Sequence, residues 1–169
     1  MADATPTDPV VTLDMLTAAF AMRASAYAHI FDVLREEFGA ERAVELIAES
    51  TRRLGNDMGR KFAHLGPDDL EGLKNEFLGG IPCAAQMFAP EVRKCDGESL
   101  EIQFHRCPLK DTWVAQGRGD EDLRLLCKAA GAIDGGLFTT AGFTFKGETW
   151  QPGRLGCCLL KVEPGAAAE

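Results

Sequence analysis

The spacing of apolar residues changes at Pro90, and that change limits what this chain can fold into. Before it, Leu16, Phe20, Tyr27, Phe31, Leu34 and Phe38 recur at the steps of one helix face, closed by Gly39. A second stripe follows in Val44, Ile47, Leu54, Met58, Phe62 and Leu65. Pro67 with Asp68, Asp69 and Glu71 then suits the first turn of a short third helix ending near "FLGG". After Pro90 the period is two. "EVRKCD" and "SLEIQFH" flank the turn pair Asp96-Gly97, a hairpin signal.

Two further helices are expected, Leu109 to Gln116 and Glu121 to about Ala141. A second hairpin closes the chain, from "GFTFKGETW" through a Gly/Pro turn to "GCCLLKV". The order predicts an α+β fold: long N-terminal helices packed with one antiparallel sheet of two hairpins that helices separate. The 169 residues are expected to form one domain, with 1–9 and 164–169 as disordered ends.

Charge excludes some functions. A net charge of −8, with no basic run interleaved with aromatics, argues against nucleic acid as a partner. The start "MADATPTDPV" lacks the basic and apolar segments of a signal peptide. No stretch approaches the ~18 uncharged apolar residues of a membrane span. The expected location is therefore the cytoplasm, with the six cysteines as free thiols rather than disulfides.

The junction "EIQFHRCPLKDTW" carries the first candidate chemistry. Strand alternation puts Leu100, Ile102 and Phe104 on one face and Glu101, Gln103 and His105 on the other, which Cys107 continues. Cys107 precedes Pro108, so it is placed to cap a helix with its sulfur near unpaired backbone N–H groups. Such a site, beside Arg106 or a protonated His105, lowers a thiol pKa and favours the nucleophilic thiolate. The plain alternative is a surface histidine and a capping cysteine. Cys127 and Asp134 lie two turns apart on the margin of the next helix's apolar stripe, which makes Asp134 a candidate acid/base. In "GCCLLKV" alternation assigns Cys158 to the core side with Leu160 and Val162, and Cys157 to the other side with Lys161.

The pieces "RCPLKDTW", "LCKAAGAIDGGLF" and "TWQPGRLGCCLL", with the intervening "F-T-F" strand, resemble the family of L-2-amino-thiazoline-4-carboxylic acid hydrolases. Cys107, Cys127 and Cys157 answer to its three cysteines, Gly153 to its late glycine and Asp134 to its acid. The family acid commonly falls three residues after the helix cysteine, where this chain has Ala130. The resemblance implies ring-opening hydrolysis of a small cyclic amidine or isothiourea bearing a carboxylate, the named substrate opening to an N-carbamoyl cysteine. On that basis Cys107 is the expected nucleophile and His105 or Asp134 the proton carrier. Cys127 and Cys157 are expected to line the pocket. Arg106 is the expected carboxylate clamp, with Arg52, Arg53 and Arg60 competing, and no cofactor or metal is called for. Two other readings stay open: a zinc site built from His105, Cys107, Cys127 and Cys157, and a non-enzymatic ligand-binding or sensor domain. The long helices could also support a homo-oligomer.

Overall fold

The computed structural model describes residues 10–166. The expected ends at 1–9 and 167–169 lie outside the described residues. Gly165 does not hang free, because its N–H donates to the Pro67 carbonyl at 2.9 Å.

Two long helices open the chain, α1 (Leu13–Phe38) and α2 (Ala40–Gly59). Thr12 caps α1, its hydroxyl accepting from the Met15 N–H. A 3-10 turn (Arg60–Phe62) leads to α3 (Leu70–Gly79), which Asp69 caps through the Gly72 N–H, and then to the one-turn α4 (Ala84–Met87). The hairpin β1 (Pro90–Cys95) and β2 (Leu100–Phe104) turns at Asp96, whose carboxylate accepts from the Glu98 and Ser99 N–H groups. Next come α5 (Pro108–Ala115), α6 (Asp120–Thr140), β3 (Thr144–Glu148) and β4 (Leu159–Glu163). The strands form one antiparallel sheet in the order β1-β2-β4-β3. The α+β architecture and the joining of both hairpins match the sequence reading. No helix among the described residues is long and apolar enough to cross a membrane.

The sheet packs one face on the helices. Leu100, Ile102, Leu160 and Val162 are fully buried there with Leu73 and Phe138. A second cluster sits among α1, α2, α5 and α6, around Phe31, Trp113 and Leu126. Trp113 is sealed into it by its indole N–H, which donates to the Ala24 carbonyl at 2.8 Å. Cys158 packs against both clusters, so the start of β4 lies at their junction.

The α2 face differs from expectation. Leu54 and Met58 are 43% and 38% exposed, and the packed positions are Val44, Ile47, Thr51, Gly55 and Gly59. Val44 and Ile47 are packed as expected, and Thr51, Gly55 and Gly59 continue the same helical spacing, but their small size hides them from a reading that looks for large apolar residues. They let α6 approach at backbone distance. The Thr51 hydroxyl donates to the Ala129 carbonyl at 2.6 Å. A Cβ on Gly55 would strike the Ile133 carbonyl, and one on Gly136 the Arg52 carbonyl. Gly136→Ala is therefore expected to cost about 2–3 kcal/mol by forcing the helices apart, read as a lower urea midpoint at unchanged slope. Similarly, Phe38 is exposed, while Ala24 and Ala28 carry the close contacts of α1.

Candidate active site

Three elements deliver sulfur to one place. Cys107 is the N-cap of α5, extended at φ −149° and ψ 117°, with Pro108 at the first helical position as expected. Its sulfur makes no cap hydrogen bond, although the backbone N–H groups of Leu109 and Lys110 at the helix start act to lower its pKa. Cys127 comes from the buried face of α6. Cys157 comes from the turn before β4, where Gly153 and Gly156 take φ of 78° and 79°.

At the start of β4 two residues oppose one. The Cys157 N–H donates to the Phe104 carbonyl at 2.8 Å, while the Phe104 N–H donates to the Cys158 carbonyl at 2.8 Å. This is the pairing of a β-bulge, which interrupts strand alternation. The two sulfurs consequently lie 3.5 Å apart instead of on opposite faces. Cys157, expected on the side of Lys161, is 1% exposed and packs in the helical cluster. Gln103 locks the bulge, its side-chain N–H₂ donating to the Phe104 and Cys158 carbonyls at 2.8 and 3.1 Å. Sequence reasoning missed this positioning role. The available signal was an uncharged amide between Glu101 and His105 on the same strand face.

Cys107, Cys127, Cys157 and Cys158 line a cavity of about 280 Å³, walled largely by apolar side chains such as Phe20, Phe77, Phe88 and Trp113. Asp134 joins them from α6, with Ala130 and Gly131 leaving room beside it. Asp134 and Cys158 also border a second, more polar hollow of about 580 Å³, which Lys128, Thr149 and Gln151 line.

His105 is not part of this cluster. The chain bends after Phe104, so the ring turns out to solvent and meets Glu91 at 2.8 Å. Arg106 does border the cavity, but its exposed guanidinium is engaged by the Gln86 carbonyl at 3.0 Å and by Asp111 at 3.5 Å. The competing arginines are paired elsewhere, Arg52 and Arg53 of α2 with Glu49, and Arg60 of the 3-10 turn with Asp57. Arg23 of α1, absent from the sequence candidates, reaches the cavity instead. Among the described residues no group of three or more His, Cys, Asp or Glu side chains is arranged to hold a metal ion. The nitrogen ligand of the zinc reading, His105, is the one that has turned away.

One negative charge fits the sulfur cluster. The thiols of Cys107, Cys127 and Cys158 around its sulfur, Cys158 in contact at 3.5 Å, hold the Cys157 thiol well below its ordinary value, burial opposes this, and the Lys110 charge adds to it. Its three neighbours are pushed up, first by their interaction with the Cys157 sulfur and then by burial and by its charge. The depressed pKa expected at Cys107 thus falls on Cys157, and the helix N-terminus only softens the rise at Cys107. Asp134 is raised to about 7, chiefly by burial, then by the Cys157 charge, with Arg23 pulling the other way. The arrangement draws negative charge towards Cys157, beside a carboxyl that is about half protonated at neutrality.

A model of the family described as L-2-amino-thiazoline-4-carboxylic acid hydrolase matches residues 19–158. The chain belongs to that family. No curated protein and no solved structure matches it. The matched span of the thiazoline-carboxylate hydrolase family covers every element that borders the cavity, from α1 to the Cys157-Cys158 bulge.

Proposed function

We propose that this cavity is the active site of a hydrolase that opens a small cyclic amidine or isothiourea bearing a carboxylate. The observation that carries the reading is the convergence of Cys107, Cys127, Cys157 and Cys158 with a protonatable Asp134 on one apolar cavity sized for a small ring. In this reading Cys157 is the nucleophile and Cys107 and Cys127 hold its charge.

The ring enters protonated on its amidine nitrogen. The Cys157 sulfur attacks the carbon between nitrogen and ring sulfur, and the tetrahedral adduct collapses by breaking the bond from that carbon to the ring sulfur. The electron pair leaves on the ring sulfur, which takes the proton of neutral Asp134. Water then adds to the same carbon while the Asp134 carboxylate takes a proton back. Cys157 departs as thiolate, the urea forms, and the proton that came with the amidine is released. One water is consumed and one free thiol is made. In this reading that water comes from the polar hollow that Asp134 also borders, and the exposed Arg106 on the cavity lining attracts an anionic substrate.

The test is incubation of the protein with L-2-amino-thiazoline-4-carboxylate, followed by thiol titration and mass spectrometry. One new thiol per product, at the substrate mass plus one water, is the expected result. Loss of ammonia with the ring intact would contradict the mechanism, and no turnover would contradict the substrate class.

A further inference from the structure

We propose that Arg23 is the anchor for the substrate's carboxylate inside the cavity. This rests on the ring-opening reading and deepens it by naming the residue that selects acids over uncharged ring analogues.

Arg23 lies on the α1 wall of the cavity. Its Nε donates to the Tyr27 hydroxyl at 3.2 Å, and its guanidinium carbon lies 5.2 Å from the centre of the Tyr27 ring. Both contacts fix the plane of the group without using its two terminal nitrogens. Among the described residues it forms no ion pair, unlike Arg106, Arg118 and Arg124, which each meet a carboxylate. An arginine in an apolar wall, held flat with its fork unengaged, suits bidentate capture of a carboxylate. The nearby acid does not fill that role. Asp134 makes no hydrogen bond to Arg23, although the Arg23 charge acts on it. With the carboxylate held at α1, the ring is presented across the cavity to the sulfur cluster at the start of β4.

The experiment compares the full-length wild type with Arg23→Gln and Arg23→Lys on L-2-amino-thiazoline-4-carboxylate and on 2-amino-2-thiazoline, which lacks the carboxylate. Arg23→Gln is expected to raise KM for the acid at least about thirtyfold with kcat within about threefold. Arg23→Lys should recover part of that loss, and the neutral analogue should be affected less than about threefold. An unchanged KM, an equal loss on both substrates, or a KM defect found only in Arg106→Gln would overturn the proposal. If the wild type opens neither ring, the ring-opening reading fails by itself. The anchor is then judged by the Kd of thiazolidine-4-carboxylate, an acid with no amidine to hydrolyse. Affinity about tenfold weaker in Arg23→Gln than in wild type supports it, and equal affinity or no binding to wild type overturns it.

Discussion

Cys157→Ser is expected to lower kcat for ring opening at least about a thousandfold while the melting temperature shifts by only a few degrees. Serine keeps the position of the reacting atom and can still accept hydrogen bonds from the neighbouring thiols. Those bonds do not make its hydroxyl ionise near neutrality, so the nucleophile is lost. The modest stability effect follows from the backbone. The bulge is held by the Phe104 pairing and by Gln103, neither of which involves the Cys157 side chain. Cys107→Ser gives the contrast, with activity falling only about tenfold, because a serine hydroxyl at the N-cap still donates to Cys157. Steady-state kinetics of both variants beside thermal melts separate the two roles. A larger loss in Cys107→Ser than in Cys157→Ser would return the nucleophile to the helix N-terminus.

Asp134→Asn is expected to lower kcat by about 10²- to 10⁴-fold and, at pH 8, to stabilise the protein. Burial pushes the native carboxyl up to about 7, above its ordinary value of 3.8. Between those values the native state binds more protons than the unfolded chain, so stability is greatest at the acid end and falls as pH rises through 7. Solvent reaching the cavity screens the effect, which leaves about 2 kcal/mol lost by pH 8. Asparagine has no proton to lose and removes that slope. Wild-type kcat should fall above pH 7 as the acid ionises, whereas the residual activity of the variant should lack this limb. Denaturant melts at pH 5 and pH 8 check the stability half. A variant that is less stable than wild type at pH 8 would mean that Asp134 is there to hold the fold.

Much of the frame was legible because its signals are local. The Asp96-Gly97 turn between two period-two runs fixed the first hairpin, and the Cys107-Pro108 step fixed a helix start with a sulfur at its cap. The seven-residue spacing put Cys127 and Asp134 on one side of α6, facing one cavity. What escaped depends on contacts between distant segments. Alternation failed at Cys157-Cys158 because the bulge needs Phe104 as its partner, and it failed at His105 because the strand bends one residue earlier. The α2–α6 seam was hidden since glycine carries no hydropathy signal, although Gly55, Gly59 and Gly136 set how closely the helices meet. Arg23 looked like any polar residue on a long helix. Its meaning comes from α5, α6 and β4 closing a cavity over it.

The placement of the thiolate is the central claim, and substoichiometric alkylation tests it most directly. With less than one equivalent of iodoacetamide near pH 6.5, the label is expected on Cys157, in proportion to lost turnover and slowed by substrate. Fragmentation of the tryptic peptide 155–161 separates Cys157 from Cys158, and the exposed Cys83 is the competitor to watch. Label accumulating first on Cys107 or Cys83, or Cys157 fully modified with turnover intact, would contradict the account.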